Sequence, residues 1–296
     1  MKKRNLLFAL GMAVLLMAVT CFAFAEEEEK EKEVDCVIME WGGGMLLTQP
    51  DGSYFTTPFL SNEQLSKLCV NLSSNIPSAS NMMLVVFYKD QLIPFSVEDE
   101  TEKQYEYKFL LEKYGEAAIN VSLDRKMLDE LIEPGTFIHF IILGHLTRTA
   151  ENPYDNFNMD FTQHVKVGGN SEPDAALSFQ RWESISQSLF ITHVDGVSTK
   201  NWVYFSADNT TPEFTYRMDG CAEDFMLFPV LNGELVMEDG KPLSFVAKCE
   251  DGACSGSLQL TLQEGKNSLF FIQMPMGKVG AIGGIHSSDH MTIVVE

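Results

Sequence analysis

Apolar and polar residues alternate through long stretches of this 296-residue chain, and that period of two limits its fold more than any other feature. Tyr105, Tyr107, Phe109 and Leu111 form one such series; Ile119, Val121 and Leu123 form another. Leu243, Phe245, Ala247 and Cys249, then Leu258, Leu260 and Leu262, repeat the pattern later. Successive side chains of a strand point to opposite faces, so each series predicts a strand with one face buried. Met82 to Tyr88, Phe137 to Leu143 and Ser268 to Ile272 are instead continuous apolar runs, which predict more deeply buried strands. Helical signals are few. Ser61-Asn62-Glu63-Gln64 reads as a capping box ahead of Leu65 and Leu68, and Asp124 to Ile132 has room for one or two turns before Pro134-Gly135. The chain is therefore expected to be all-β.

The same order of events occurs twice. A hydrophobic strand turns and returns at Met83 to Leu92 and again at Met226 to Leu235. Alternating strands follow, then a Gly-containing turn (Glu133-Pro134-Gly135; Glu264-Gly265-Lys266-Asn267) and a Phe-rich strand. A tandem duplication of one β-rich unit is expected, with a first β-sandwich domain at 35–167 and a second at 175–296. Gly, Asn, Ser and Pro mark 168–174 as the linker between them.

Within 225–275, Leu231-Asn232-Gly233-Glu234 and Leu262-Gln263-Glu264-Gly265-Lys266-Asn267 resemble the N-G hairpin and L-x-E-G-x-N turn of bacterial immunoglobulin-like surface modules. The resemblance implies two tandem immunoglobulin-like β-sandwiches. It departs from the family after that point, where Met274-Pro275-Met276-Gly277 stands in place of the usual D-x-x-G-N.

The first 25 residues have the order of a secretory signal peptide: cationic Lys2-Lys3-Arg4, the uncharged run Leu6 to Val19, then Ala23-Phe24-Ala25 at the cut. Fourteen residues make about 21 Å of helix, short of a hydrocarbon core of about 30 Å, so no membrane span is expected in the mature chain. Lipid attachment at Cys21 is the alternative fate. The acidic stretch within 26–34 reads as a solvated, disordered arm. The leader holds three of the 21 basic residues and none of the 42 acidic ones, so cleavage leaves the chain more acidic than its full-length charge of −21. That charge argues against nucleic acid, which needs clustered cations to displace counterions from phosphate.

Five cysteines lie beyond the leader. Cys249 and Cys254 flank Glu250-Asp251-Gly252-Ala253, a tight-turn signal, and are expected to bridge across a hairpin. Cys36 with Cys69 is a second expected pair, which leaves Cys221 over. Two places have metal-ligand character. His286 and His290 would share a face on a helix but stand about 13 Å apart on a strand. Asn156, Asn158 and Asp160 place oxygens at alternate positions, as calcium loops do, without the glycine and closing carboxylate of an EF-hand. Calcium is the one cofactor this pattern suggests. Trp41, Trp182, Trp202 and the tyrosines are candidates for a sugar-stacking platform, or for core.

No nucleophile elbow, H-E-x-x-H or catalytic cysteine signature is present. The expected function is a secreted, non-enzymatic protein that binds a protein or glycan partner at the envelope or outside the cell. The alternative is a secreted hydrolase of polysaccharide or peptide.

Overall fold

The computed structural model describes residues 43–55, 59–75, 78–98, 100–147, 160–168, 189–192, 202–206, 210–219, 221, 223–276 and 285–296, with 189–192 described as backbone. The leader, the acidic arm, Cys21, Cys36, Trp41, Asn156, Asn158, Trp182 and all of the linker but Gly168 lie outside them.

The fold is all-β and sandwich-like, built from four principal sheets. In the first half, an outer sheet runs in the order Gly43–Thr48, Leu68–Ser74, Glu116–Leu123, Phe95–Val97. Its inner sheet runs Phe59–Leu60, Asp160–Val167, Phe137–Leu143, Ser80–Tyr88, with Gln91–Leu92 and Glu106–Leu111 also on Ser80–Tyr88. The second half repeats this plan. Leu189–Thr192, Glu213–Asp219, Ala253–Gln259 and Cys249–Glu250 make its outer sheet. Trp202–Phe205, Met291–Val295, Gly265–Pro275 and Phe225–Leu231 form its inner sheet, with Glu234–Leu235 and Phe245–Ala247 on the last strand. Each inner sheet carries one parallel edge strand, Phe59–Leu60 beside Lys166–Val167 and Trp202–Phe205 beside Thr292–Val295; the other pairings are antiparallel.

Turn chemistry fixes the hairpin registers. Asn232-Gly233, Asp239-Gly240 and Asp251-Gly252 all have positive φ at both residues, the requirement of a two-residue turn that matches strand twist. The two short helices stand where the sequence puts them. Asn62–Leu65 is capped by Ser61 with Gln64 closing the box, and Arg125–Leu131 by the Asp124 carboxylate.

Three apolar cores separate the four sheets. The first fills the space between the sheets of the first half, around Leu84, Val86, Phe95, Phe140 and Val121. Another does the same in the second half, around Phe214, Leu227, Phe271 and Ile293. The third lies between the two inner sheets and takes residues from both halves: Met83, Val85, Phe87, Ile141 and Leu143 against Met226, Phe228, Val230, Phe270 and Ile272. Phe87 meets Phe228 edge to face, with ring centroids 5.2 Å apart. The order of layers is thus outer, inner, inner, outer, and residues 41–296 belong to one compact unit.

This layering explains the two sequence patterns. Outer strands alternate, as in Glu213–Asp219, because one face meets solvent. Ser80–Tyr88 and Gly265–Pro275 are buried almost throughout because each faces a core on both sides. Among the described residues, no helix is long and apolar enough to cross a membrane.

Candidate functional site

Three places gather chemistry-bearing side chains. One is a polar seam at the edge of the third core. His139 on Phe137–Leu143 stands directly opposite His164 on Asp160–Val167, and their Nδ1 atoms lie 2.5 Å apart. Burial pushes His139 down to about 3, with the neighbouring His164 adding to the effect, and burial alone takes His164 to about 4. Both rings are therefore neutral at pH 7, one donating and the other accepting. Farther along the same strand, the Asp160 carboxylate accepts hydrogen bonds from the Ser287 backbone N–H (2.6 Å) and hydroxyl (2.8 Å) of the other half. Burial raises Asp160 from its ordinary value, against the pull of these bonds and of nearby His286.

The seam brings together two places the sequence marks separately, Asp160 and the His286 segment. It does not make a histidine pair of His286 and His290. Register sets Ser287 opposite Ile272, a residue of the third core, so its neighbour His286 belongs to the other face. His290 stacks on Phe270, with centroids 4.3 Å apart. Among the described residues, neither imidazole belongs to a set of three ligand groups close enough to share an ion.

The second place is a cluster of Cys221, Cys249 and Cys254, whose Sγ atoms all lie within 4.8 Å of one another. Cys249 and Cys254 are cross-strand partners on a hairpin closed at Asp251-Gly252. The expected bond between them is absent: both are free thiols, as are Cys69 and Cys221. The thiols are directed at backbone carbonyls instead. Cys249 Sγ donates to the Cys221 carbonyl (2.9 Å), and Cys221 Sγ donates to the Met218 carbonyl (3.2 Å). Burial first, and then the neighbouring Cys221, raises the Cys254 thiol; burial raises Cys221 as well. Cys69 is buried in the other half with its Sγ 3.8 Å from Asn71 Oδ1, and its expected partner Cys36 lies outside the described residues.

The third place is a cleft of about 760 Å³ in the second half, where the two sheets part. The chain crosses from inner to outer sheet at Lys248, between Phe245–Ala247 and Cys249–Glu250. Because Cys249–Glu250 pairs with Cys254 and Ala253, residues 255–259 have no strand neighbour on that side among the described residues. Tyr216 and Phe245, with centroids 5.3 Å apart, lie against the cleft, and Arg217, Val246 and Lys248 also line it. Gly256 makes the close packing of Tyr216 feasible, since a Cβ there would stand 2.3 Å from the Tyr216 hydroxyl oxygen.

Sequence reading missed the His139–His164 pair and the third cysteine. A signal for the former existed, a histidine inside the apolar run Phe137-Ile138-His139-Phe140. For Cys221 none did, because its place depends on Glu213–Asp219 pairing with Ala253–Gln259 across the intervening inner-sheet strands.

No family model and no curated protein matches the sequence. Among solved structures the chain is similar to a red sea bream transglutaminase, at 8% identity over 88% of this chain with a TM-score of 0.26, and spans 32% of that chain. It is also similar to the E. coli chaperone DraB (11% identity, 79% of this chain, 92% of that one, TM-score 0.29). The YadV chaperone gives 10% identity over 83% of this chain and 98% of that one, with a TM-score of 0.26. Scores this low carry no argument for this chain.

Proposed function

We propose that this is an exported, non-enzymatic protein of two tandem immunoglobulin-like β-sandwich domains, which binds a protein or glycan partner at the cell envelope or outside the cell. The cleft of the second half is the observation that carries the reading. Lys248, Val246 and Arg217, which is paired with Asp219, line it, and residues 255–259 have no strand neighbour on that side among the described residues. An edge strand open on one side accepts an extended peptide through backbone hydrogen bonds.

The test is cross-linking in the producing culture, together with a glycan panel, on the unmodified chain and on Val246→Asp and Lys248→Glu. Val246 is partly exposed, so its replacement is expected to leave the melting temperature near that of the unmodified chain. The expected outcome is one partner captured by the unmodified chain and lost by both variants. Release of sugars or peptides from envelope material by the purified chain would sink the reading in favour of a hydrolase.

A further inference from the structure

We propose that Cys221, Cys249 and Cys254 form a thiolate site for one thiophilic closed-shell metal ion, Zn(II) or Cu(I). Metal–sulfur bonds of about 2.3 Å set three sulfurs about 4 Å apart, in a trigonal Cu(I) site or at three corners of a Zn(II) tetrahedron whose fourth corner takes water, and the three Sγ atoms already lie within 4.8 Å of one another. Little rearrangement separates the thiol cluster from a coordinated one. Soft thiolate donors select such ions over calcium or magnesium.

The backbone around the cluster is tied down independently of the sulfurs. The Cys221 N–H donates to the Gly252 carbonyl in the hairpin turn (3.0 Å), and the Cys249 N–H donates to Asp224 Oδ1 (2.8 Å). Asp224 in turn accepts from the Met276 N–H through its carbonyl (2.8 Å). Loop, hairpin and inner sheet are thus joined by hydrogen bonds that hold the three cysteines in place, which is the preorganisation a metal site requires. Cys221 and Cys254 are buried, whereas Cys249 is only partly so and gives the ion a way in.

A disulfide staple explains the set less well. It uses two sulfurs and leaves the third beside it, poised to exchange and shuffle the bond. Coordination uses all three at once. Each S–H gives its proton to solvent and each sulfur donates an electron pair to the ion, so no oxidant or reductant is needed. Because the ion displaces these protons, protons compete with it and uptake must weaken as pH falls.

The experiment uses the full mature chain, reduced and metal-free, titrated under argon with Zn(II) and separately with Cu(I). Native mass spectrometry counts ions, pH-stat titration counts protons, and X-ray absorption reads the shell of the loaded protein. One ion per chain, three protons released and three sulfurs at about 2.3 Å are expected. Competition between the two ions identifies the preferred one. Uptake should disappear in Cys221→Ser and Cys254→Ser and survive in Cys69→Ser. Because a buried serine can unfold the hairpin, the absorption measurement on the unmodified chain stands as an independent test. A shell without sulfur, no uptake by the reduced chain, or a chain isolated with Cys249 and Cys254 joined and no ion would overturn the site.

Discussion

The third core and the two cores inside the halves are made of the same residue types but finished differently. Inside each half, aliphatic and aromatic side chains fill the space between inner and outer sheets. Between the halves, a similar apolar centre around Phe87 and Phe228 is bordered by polar contacts that cross from one half to the other. Asp160 holds Ser287; Glu106 accepts from the Leu235 N–H (2.8 Å); Lys108 pairs with Glu234 (2.7 Å). Apolar centre and polar rim are the anatomy of an interface between partners. The Asn232-Gly233 turn shows how closely the halves meet: a Cβ on Gly233 would stand 3.0 Å from Thr147 Cγ2, and its φ of +78° also favours glycine. The contrast teaches that a sheet with two apolar faces serves as core on one side and as interface on the other.

Three measurements press on that contrast, taken from the largest effect down. Phe228→Asp places an unpaired charge in the third core, and its expected cost is more than about 4 kcal/mol, enough to part the halves. Calorimetry should then show two transitions where the unmodified chain shows one. A single lowered transition would mean that the halves have no stability of their own.

The histidine seam predicts acid sensitivity. His139 and His164 titrate at about 3 and about 4 in the folded chain, against 6.5 for an unperturbed imidazole. Below 6.5 the unfolded chain therefore binds protons that the folded chain refuses. The stabilisation is complete above pH 6.5 and falls as pH drops toward 4, by about 1.4 kcal/mol per pH unit for each ring. In His139→Phe, denaturant titrations should show the slope of stability against pH reduced by about half across that window. An unchanged slope would locate the acid sensitivity elsewhere.

The smallest effect belongs to the rim. Lys108 and Glu234 are both largely exposed, so Lys108→Met should shift stability by less than about 1 kcal/mol, and the shift should vanish at high salt. A larger loss would show the rim holding the halves together as strongly as Phe228 does.

The elements themselves were readable from the sequence. Period-two series became the strands Glu106–Leu111 and Glu116–Leu123, and the Ser61 capping box starts a helix as expected; of Leu258, Leu260 and Leu262 only Leu258 lies in a strand, and the Leu243 to Cys249 series is divided between Phe245–Ala247 and Cys249–Glu250. The runs at Met82 to Tyr88 and, but for His139, Phe137 to Leu143 pointed to deeply buried strands, as found. What covers the second face was not readable, because hydrophobic pattern records burial and not the identity of the neighbour. The site fared likewise. Cys249 and Cys254 were placed opposite one another by a local turn, while Cys221 joins them only through sheet order. His139 meets His164 across 25 residues of chain, a pairing that spacing does not encode. Asp160 and Ser287 lie farther apart still, and only the packing of the halves unites them.

The shared core also sets a clock on biosynthesis. Ribosomes add about 5–20 residues each second, so the first half is complete on the order of ten seconds before the last strand, Met291–Val295, has been made. A first half folded ahead of the second would leave Met83, Val85, Phe87, Ile141 and Leu143 facing outward with nothing against them. Nascent chains crowded on one messenger would offer each other the same sticky sheet, and an exchange of halves between neighbours would satisfy it as well as the correct fold does.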